Sequence, residues 1–206
     1  MRIGIYGGSF DPPHYGHKKI AEFVTEKLNL DKLLIVPVGI ASHGKNNLSS
    51  PADRMKMCEM TFGSIKNVCI SPIEIHMEGV SYTYKTLEAV IKKLGEDNEY
   101  FEIIGEDSAN YFDKWKEYEK ILELSTVVVL KRKGFKNIVN SPKIVTVDNP
   151  YFNISSTEIK EKIKNGEDVS KFLDEETEKF IKEKKLFIKG AVAFFNSSYK
   201  KCWKEF

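Results

Sequence analysis

Short apolar runs and amphipathic segments alternate along most of this chain. The apolar runs predict buried strands at residues 2–6, 33–37, 68–71, 100–104, 126–130 and 143–147. Apolar residues at helical spacing predict helices at residues 17–28, 51–62, 83–94, 115–122, 155–164 and 174–184. Repeated alternation of apolar strands with helices is typical of α/β proteins. The pattern therefore predicts a doubly wound, mostly parallel sheet with helices on both faces.

Such a fold restricts where a ligand can bind. In open parallel sheets, ligands bind beyond the carboxyl ends of the strands, which selects the loops at residues 7–17, 39–49 and 105–113. The chain's unusual glycines, prolines and histidines fall in these same loops. We therefore expect the functional site to be built from them.

The first loop carries groups that suit a phosphate ligand. Gly7 and Gly8 allow the backbone to approach a ligand closely, and Ser9 adds a hydroxyl group. His14 and His17 stand three residues apart at the start of a predicted helix, where free N–H groups and the helix dipole favour anions. An HxxH pair alone is more often structural than catalytic. The complete string directly after the first strand nevertheless predicts a cradle for a polyphosphate.

A second candidate phosphate site lies near the end of the predicted fold. Ser155 or Ser156 is expected to cap a helix whose free amides face an anion, and Lys160 adds positive charge one turn later. A plain capping box, in which Ser155 pairs with Glu158, explains the same residues without a functional role. Taken alone, the segment leaves both interpretations open.

Composition narrows the class of protein. With 41% hydrophobic and 30% charged residues, the 206-residue chain has the composition of an ordinary globular protein. Its net charge of +2 does not indicate charge-driven binding to nucleic acid. The basic run at residues 131–136 is either a solvated turn or a phosphate contact. No segment suits a signal peptide or a membrane span. Cys58, Cys69 and Cys202 are widely spaced, which favours reduced thiols in a cytoplasmic protein.

Two motifs in a fixed order give the chain a family resemblance. The string from Gly7 to His17 (GGSFDPPHYGH) resembles the signature of the nucleotidyltransferase superfamily with the T/HxGH motif, which is related to class I aminoacyl-tRNA synthetases. Residues 154–160 (ISSTEIK) are similar to that superfamily's ISSTxIR element. The resemblance implies catalysis by His14 and His17. It also implies an ATP site formed by Gly7, Gly8, Ser9, Phe10, His14, His17, Ile154, Ser155, Ser156, Thr157 and Lys160.

Within this superfamily the chain resembles the bacterial nicotinate-nucleotide adenylyltransferases. The residues SYT at 81–83, and IGED at 104–107 with Trp115 eight positions after the aspartate, are similar to that family's elements. By resemblance, Trp115 offers a face to the pyridine ring, although a purely structural role in the core stays open. The substrate-binding residues that the resemblance implies are Ser81, Tyr82, Thr83, Gly105, Asp107, Trp115, His43 and Lys45.

Three features depart from the family pattern. His43 aligns with the family's loop histidine, but Lys45 stands one position away from the usual lysine. Lys160 replaces an arginine, and the two differ where a bidentate phosphate contact is needed. The resemblance predicts a nucleotidyltransferase domain over residues 1–187 and leaves residues 188–206 as an extension of unknown role. The apolar run in that extension suits extra packing, contact between copies in a homo-oligomer, or a non-native addition.

The resemblance implies a particular reaction. ATP, accompanied by Mg²⁺, would transfer its adenylyl group to nicotinate mononucleotide, with release of pyrophosphate. The metal ion would be held mainly by phosphates and water, so no metal site is expected in the protein. Alternatives are another acceptor (phosphopantetheine or nicotinamide mononucleotide), cytidylyl transfer, or a non-catalytic nucleotide sensor on the same fold.

Overall fold

The computed structural model describes residues 1–41, 48–131, 141–150 and 152–188. The strands are β1 (Arg2–Gly8), β2 (Lys32–Pro37), β3 (Ile40–Ala41), β4 (Val68–Ile70), β5 (Val80–Ser81), β6 (Glu99–Gly105), β7 (Thr126–Leu130) and β8 (Ile144–Val147). The α-helices are α1 (Tyr15–Lys27), α2 (Pro51–Phe62), α3 (Thr83–Leu94), α4 (Glu106–Ala109), α5 (Tyr118–Leu124), α6 (Ser156–Lys164) and α7 (Glu175–Glu183). A 3₁₀-helix covers Phe112–Lys114.

The main sheet determines where the site lies. Six strands are arranged in the order β4-β2-β1-β6-β7-β8, and each neighbouring pair is parallel. Counted within this sheet, the order is 3-2-1-4-5-6, the doubly wound arrangement in which the connections reverse direction between β1 and β6. A short parallel pair, β3 with β5, lies apart from it. The reversal opens a crevice at the carboxyl ends of β1 and β6.

Alternate residues of the strands form the cores on the two faces of the sheet. Ile5 of β1 and Leu34 of β2 belong to a buried cluster with Leu87 of α3. Ile35, the next residue of β2 after Leu34, belongs to the opposite cluster with Val24 of α1. Because the inner strands β1, β2, β6 and β7 bury residues on both faces, they read as nearly continuous apolar runs in the sequence. The predicted doubly wound α/β fold is confirmed.

A third cluster attaches the end of the fold to α2. Met57 of α2 packs with Ile159 of α6 and Ile181 of α7. The hydroxyl groups of Thr61 and Thr177 also form a buried hydrogen bond of 3.1 Å between α2 and α7. Helix α6 carries the second motif, so this packing fixes where that motif lies.

One helix boundary differs clearly from the sequence prediction. Helix α5 begins at Tyr118, whereas the apolar spacing placed its start at Trp115. Trp115 instead follows the 3₁₀-helix, and Glu117 adopts a left-handed φ of 56°, which interrupts any helix before Tyr118. The short elements β3, β5 and α4 were not predicted, because elements of two to four residues leave no periodicity to detect.

The cysteines that the structure describes have packing roles. Cys58 is fully buried among apolar side chains, and burial raises the pKa of its thiol well above the usual range. Cys69 is half-buried against the first cluster, and Cys202 lies outside the described residues. Across the described part of the chain, no helix has the length and apolar character needed to cross a membrane.

Two neighbouring valines test the assignment of the core. Val128 on β7 is fully buried, whereas its register partner Val145 on β8 is 43% exposed. Val128→Ala should lower the free energy of unfolding by about 2 kcal/mol, because it removes buried methyl groups and leaves a cavity. Val145→Ala should cost less than about 1 kcal/mol. Chemical denaturation would measure both; equal losses would contradict the burial of β7.

Candidate active site

A cleft of about 630 Å³ lies at the carboxyl ends of β1 and β6. It occupies the crevice that the sheet order creates at this edge. Of the site residues predicted from the sequence, those that line it are Gly7, Gly8, His17, Ser81, Tyr82, Thr83, Gly105, Asp107 and Trp115; the second motif, residues 154–160, is not part of its lining. The loop after β1 therefore faces the segments that follow β5 and β6 across one cavity.

His14 and His17 form a stacked pair at the start of α1. Their ring centroids are 3.7 Å apart and the planes differ by 25°. His14 is the N-cap residue, and its Nδ1 accepts a hydrogen bond of 3.4 Å from the backbone N–H of His17. A neutral His14 ring therefore carries its proton on Nε2, as a donor. His14 is buried, whereas His17 is half-buried and lines the cleft.

The ring of Phe10 packs against His17 in the core and is not accessible to a ligand. The Phe10 ring is 2% exposed and meets the rings of Tyr6 and His17 edge-on, with centroid distances of 5.6 and 5.1 Å. Only its backbone is available for the ATP contact that the resemblance implied. A Cβ on Gly8 would lie 2.9 Å from the Phe10 ring, while one on Gly7 would meet no atom within 4 Å. Gly8 is thus required for packing, and Gly7 leaves space at the cleft.

The second motif is bound directly to the first. Ser156 Oγ donates a hydrogen bond of 2.9 Å to the carbonyl of Pro12, and Lys160 Nζ lies 3.0 Å from Asp11 Oδ2. Ser155 caps α6, with its Oγ accepting from the N–H of Glu158 at 3.2 Å. The capping interpretation is therefore correct for Ser155. It is incomplete for the segment, because Ser156 and Lys160 reach the loop after β1.

Two other predicted residues of this motif differ in burial. Ile154 is half-buried and packs against the third cluster, while Thr157 is exposed. Ile154 also lies beside Gly16, where an added Cβ would be 3.0 Å from both Ile154 Cγ2 and the His14 ring. Gly16 is therefore needed to seat α1 against the second motif.

Two buried charged residues complete the loop after β1, and sequence reasoning assigned a role to neither. Asp11 is 1% exposed and, besides Lys160, its Oδ1 accepts from the N–H of Ser49 at 3.3 Å. Arg54 is equally buried and donates to three backbone carbonyls, those of Ser9 (3.2 Å), Val38 (2.7 Å) and Ser49 (3.2 Å). Burial lowers the Arg54 pKa, while the nearby Asp11 raises it. The sequence signal for the buried role of Arg54 was the presence of an arginine on the apolar face of α2.

The opposite wall of the cleft presents an aromatic side chain. Trp115 is half-buried, packs on Phe112 with a centroid distance of 5.5 Å, and also lines the cleft. Trp115 therefore packs in the core and also lines the cleft, so both sequence interpretations stay open. Thr83 is the first residue of α3 and Tyr82 its N-cap, so the start of this helix, with its free N–H groups, lies beside the cavity that both residues line. His43, Lys45 and the basic residues 132–136 lie outside the described residues.

Two acidic side chains lie in the floor of the cleft. Glu102, on β6, is 4% exposed, and burial together with the charge of Glu74 raises its pKa well above the usual value. Burial also raises the pKa of Glu74, although hydrogen bonds from Thr86 and Ser81 and from the backbone of Gly39 oppose the shift. The sequence signal was a glutamate inside an apolar strand, YFEII, which the strand prediction passed over.

These features define the chain as a nucleotidyltransferase of the doubly wound α/β class. A family model described as cytidylyltransferase-like matches residues 5–162. A probable nicotinate-nucleotide adenylyltransferase of Fusobacterium nucleatum is 47% identical over 189 residues, which span 89% of this chain and 98% of that protein. Another, from Bacillus cytotoxicus, is 38% identical over 90% and 98% of the two chains. The chain therefore belongs to the nicotinate-nucleotide adenylyltransferase family.

Solved structures agree with the fold. Plasmodium falciparum nicotinic acid mononucleotide adenylyltransferase complexed with NaAD superposes with a TM-score of 0.77 and 21% identity, over 90% of this chain and 97% of that one. The same enzyme complexed with APC gives 0.75 at 21% identity. At this identity the similarity establishes the fold alone.

Enzymes of this class typically work with a divalent metal ion. Among the side chains that the structure describes, no group of three or more His, Cys, Asp or Glu residues is placed to hold one. Asp11, the carboxylate nearest the histidine pair in sequence, is already bound to Lys160 and Ser49.

The link between the two motifs can be measured as a coupling energy. Lys160→Met should lower the free energy of unfolding by about 2 kcal/mol, because it leaves the buried Asp11 carboxylate without its cation. Combined with Asp11→Asn, it should cost less than the sum of the two, with a coupling of about 1–3 kcal/mol. Denaturant unfolding of the four proteins gives this value.

A matched control lies two residues further along the same helix. Lys162 pairs with Glu167 at 2.7 Å, but both side chains are well exposed. Lys162→Met should therefore change stability by less than about 1 kcal/mol. Additive effects of Asp11→Asn and Lys160→Met would mean that the pair does not hold the motifs together.

The buried Glu102 makes stability depend on pH in a defined direction. Above about pH 4.5, an unfolded chain releases this proton, whereas the folded protein retains it because its pKa is raised. The folded state then binds more protons, so its stability falls as pH rises. Relative to Glu102→Gln, the wild type should lose stability steadily from about pH 4.5 toward the raised folded pKa.

Denaturation midpoints at a series of pH values would measure this difference. Glu99→Gln is the matched control, since Glu99 lies on the same strand but is 65% exposed beside Arg2. A stability difference between wild type and Glu102→Gln that does not change with pH would show that Glu102 is ionised in the folded protein.

Proposed function

We propose that this enzyme transfers the adenylyl group of ATP to nicotinate mononucleotide, producing nicotinate adenine dinucleotide and pyrophosphate. The supporting observation is that one cleft joins the His17 loop to Thr83 and Trp115. The His17 loop suits phosphates. Thr83 and Trp115 offer helix N–H groups and an aromatic side chain for a pyridine ring that carries a carboxylate group. The names of the relatives state this activity for them.

ATP would bind along the loop after β1 and the start of α6. Gly7 leaves room for a phosphate beside the backbone, and the first turn of α6 supplies N–H groups around Ser156. Lys160 adds a mobile ammonium group that already lies at the junction of the two motifs. Its pairing with Asp11 keeps it there despite the absence of the family's usual arginine.

The chemistry requires positioning more than proton transfer. An oxygen of the nicotinate mononucleotide phosphate attacks the α-phosphorus of ATP in line, and the bond from that phosphorus to the bridging oxygen of pyrophosphate breaks. The nucleophile is already an anion, so no general base or covalent intermediate is needed. His14 and His17 would donate hydrogen bonds to the non-bridging and leaving oxygens, where negative charge increases.

We infer that Mg²⁺ enters the site with ATP and is coordinated by phosphate oxygens and water. The domain that carries this activity would be residues 1–187. With the isolated, widely spaced thiols of a reduced compartment, a cytoplasmic location fits the proposal.

Other acceptors remain the main alternatives. Phosphopantetheine would use the same histidines and second motif but would give Trp115 no role. Nicotinamide mononucleotide would differ only in the group that meets the N–H donors near Thr83. A non-catalytic nucleotide sensor would bind ATP without releasing pyrophosphate.

Removing one imidazole tests the proposed role of the histidine pair. His17→Ala should lower turnover by ~10²–10³, the usual loss for one preorganised donor to developing charge. Pyrophosphate release from ATP and nicotinate mononucleotide would be the measurement, with thermal unfolding to verify the fold.

Lys19→Ala provides the control on the same helix, because Lys19 is exposed and pairs only with Glu22 one turn away. It should retain turnover within about twofold. If His17→Ala folds and turns over at the wild-type rate, the assignment of the catalytic site is wrong.

A further inference from the structure

Glu102 is placed unusually for an acidic residue. It lies within β6, in register with Ile5 on β1 and Val127 on β7, and its strand neighbours Phe101 and Ile103 are apolar. Its Oε2 is buried and forms no hydrogen bond with any residue that the structure describes. Its side chain nevertheless lines the cleft. A buried polar atom without a partner costs free energy, which indicates a role for it when the cleft is filled.

The depth of Glu102 identifies which part of the acceptor can reach it. Strand β6 ends at Gly105, three residues later, so Glu102 lies roughly 10 Å below the carboxyl end of the strand. The acceptor phosphate must meet ATP close to His17. The opposite end of the acceptor, its base, is therefore the part that extends toward the floor.

The charge of that base complements the floor. In a pyridine mononucleotide, the ring nitrogen is bonded to ribose and carries a fixed positive charge. Glu74 lines the same floor, held by a hydrogen bond of 2.8 Å from Thr86 Oγ1. Two carboxyl groups and an aromatic side chain, Trp115, that line one cleft favour a cation there. A neutral acceptor would gain nothing from these acids.

A cation bound near Glu102 would change the ionisation of its carboxyl group in a defined direction. Burial and the neighbouring Glu74 raise the pKa of Glu102, which favours the protonated form of its carboxyl group. A fixed positive charge nearby favours the ionised carboxylate and lowers this pKa again. The remaining acidic, imidazole and ammonium groups along the cleft are His17, Glu74, Asp107, Lys114 and Lys116. Both lysines are exposed at its mouth.

We propose that Glu102 is a specificity-determining residue that faces the pyridinium ring of the acceptor nucleotide. The inference rests on the proposed function and deepens it. It adds a contact to the ring's cationic nitrogen, distinct from the contacts of Thr83 and Trp115. Because a cation favours the ionised carboxylate, binding of the acceptor should be accompanied by release of protons from the enzyme.

Glu102→Gln tests this role, because it keeps the shape of the side chain and removes the ionisable group. We expect the KM for nicotinate mononucleotide to rise about tenfold, the equivalent of one unit of pKa, while the KM for ATP stays within about twofold. Calorimetric titration with nicotinate mononucleotide in two buffers of different ionisation enthalpy should detect proton release in the wild type. That release should be absent in the variant.

Two further proteins make the result decisive. Glu102→Leu removes the unpartnered polar group, so it should fold at least as stably as the wild type and show the same rise in KM for the acceptor. Glu99→Gln, at the far end of the same strand, should match the wild type in both assays. An unchanged acceptor KM in Glu102→Gln, or equal rises for ATP and acceptor, would overturn the inference.

The wild-type reaction separates this inference from the proposed function. If the wild type releases pyrophosphate with nicotinate mononucleotide and Glu102→Gln keeps the same KM and proton release, only the role of Glu102 is wrong. If the wild type releases no pyrophosphate with any pyridine mononucleotide, the proposed function itself is wrong.

Discussion

The reversal of chain direction between β1 and β6 is the constraint on which the site depends. Connections from β1 pass to one side of the sheet and those from β6 to the other, so no crossover covers the carboxyl ends of these two strands. The crevice left there is filled by neither core cluster. Gly7 and Gly8 at the end of β1 face Gly105 at the end of β6 across it, and every cleft contact discussed above is built outward from these ends.

That crevice becomes a defined site because buried charges hold its loops. Asp11 binds Lys160 of α6 and the backbone of Ser49, while Arg54 binds the carbonyls of three loop residues. Removing Lys160 would leave the Asp11 carboxylate buried without its cation, so this pair holds the two segments together only while both charges are present. The free-energy cost of burying these charges is acceptable at a site that must hold two histidines in a fixed orientation. It also explains how segments almost 150 residues apart in the chain act together.

Much of this structure could be predicted from local sequence signals. The apolar runs located all six strands of the main sheet, since strands buried on both faces need continuous apolar residues. The loop after β1 was also predicted, because its glycines and histidines are concentrated in eleven positions. The start of α5 was misplaced, since the left-handed conformation of Glu117 leaves no signal in apolar spacing.

The tertiary pairings were beyond local signals. Nothing near Asp11 in the sequence reveals that Lys160 is its partner. Glu102 was overlooked because the residues around it in β6 are apolar and predict an ordinary buried strand. Phe10 was assigned to the ATP site by resemblance, but its ring is committed to the core beneath His17. The roles of the individual site residues thus remain predictions that the geometry sharpens.

The central claim is that this cleft joins ATP to a pyridine mononucleotide. The most direct measurement is pyrophosphate release from ATP and Mg²⁺ with nicotinate mononucleotide, nicotinamide mononucleotide and phosphopantetheine, supplied separately to the purified protein. The account predicts rapid release with nicotinate mononucleotide and little with phosphopantetheine. Binding of ATP without pyrophosphate release for any acceptor would contradict it.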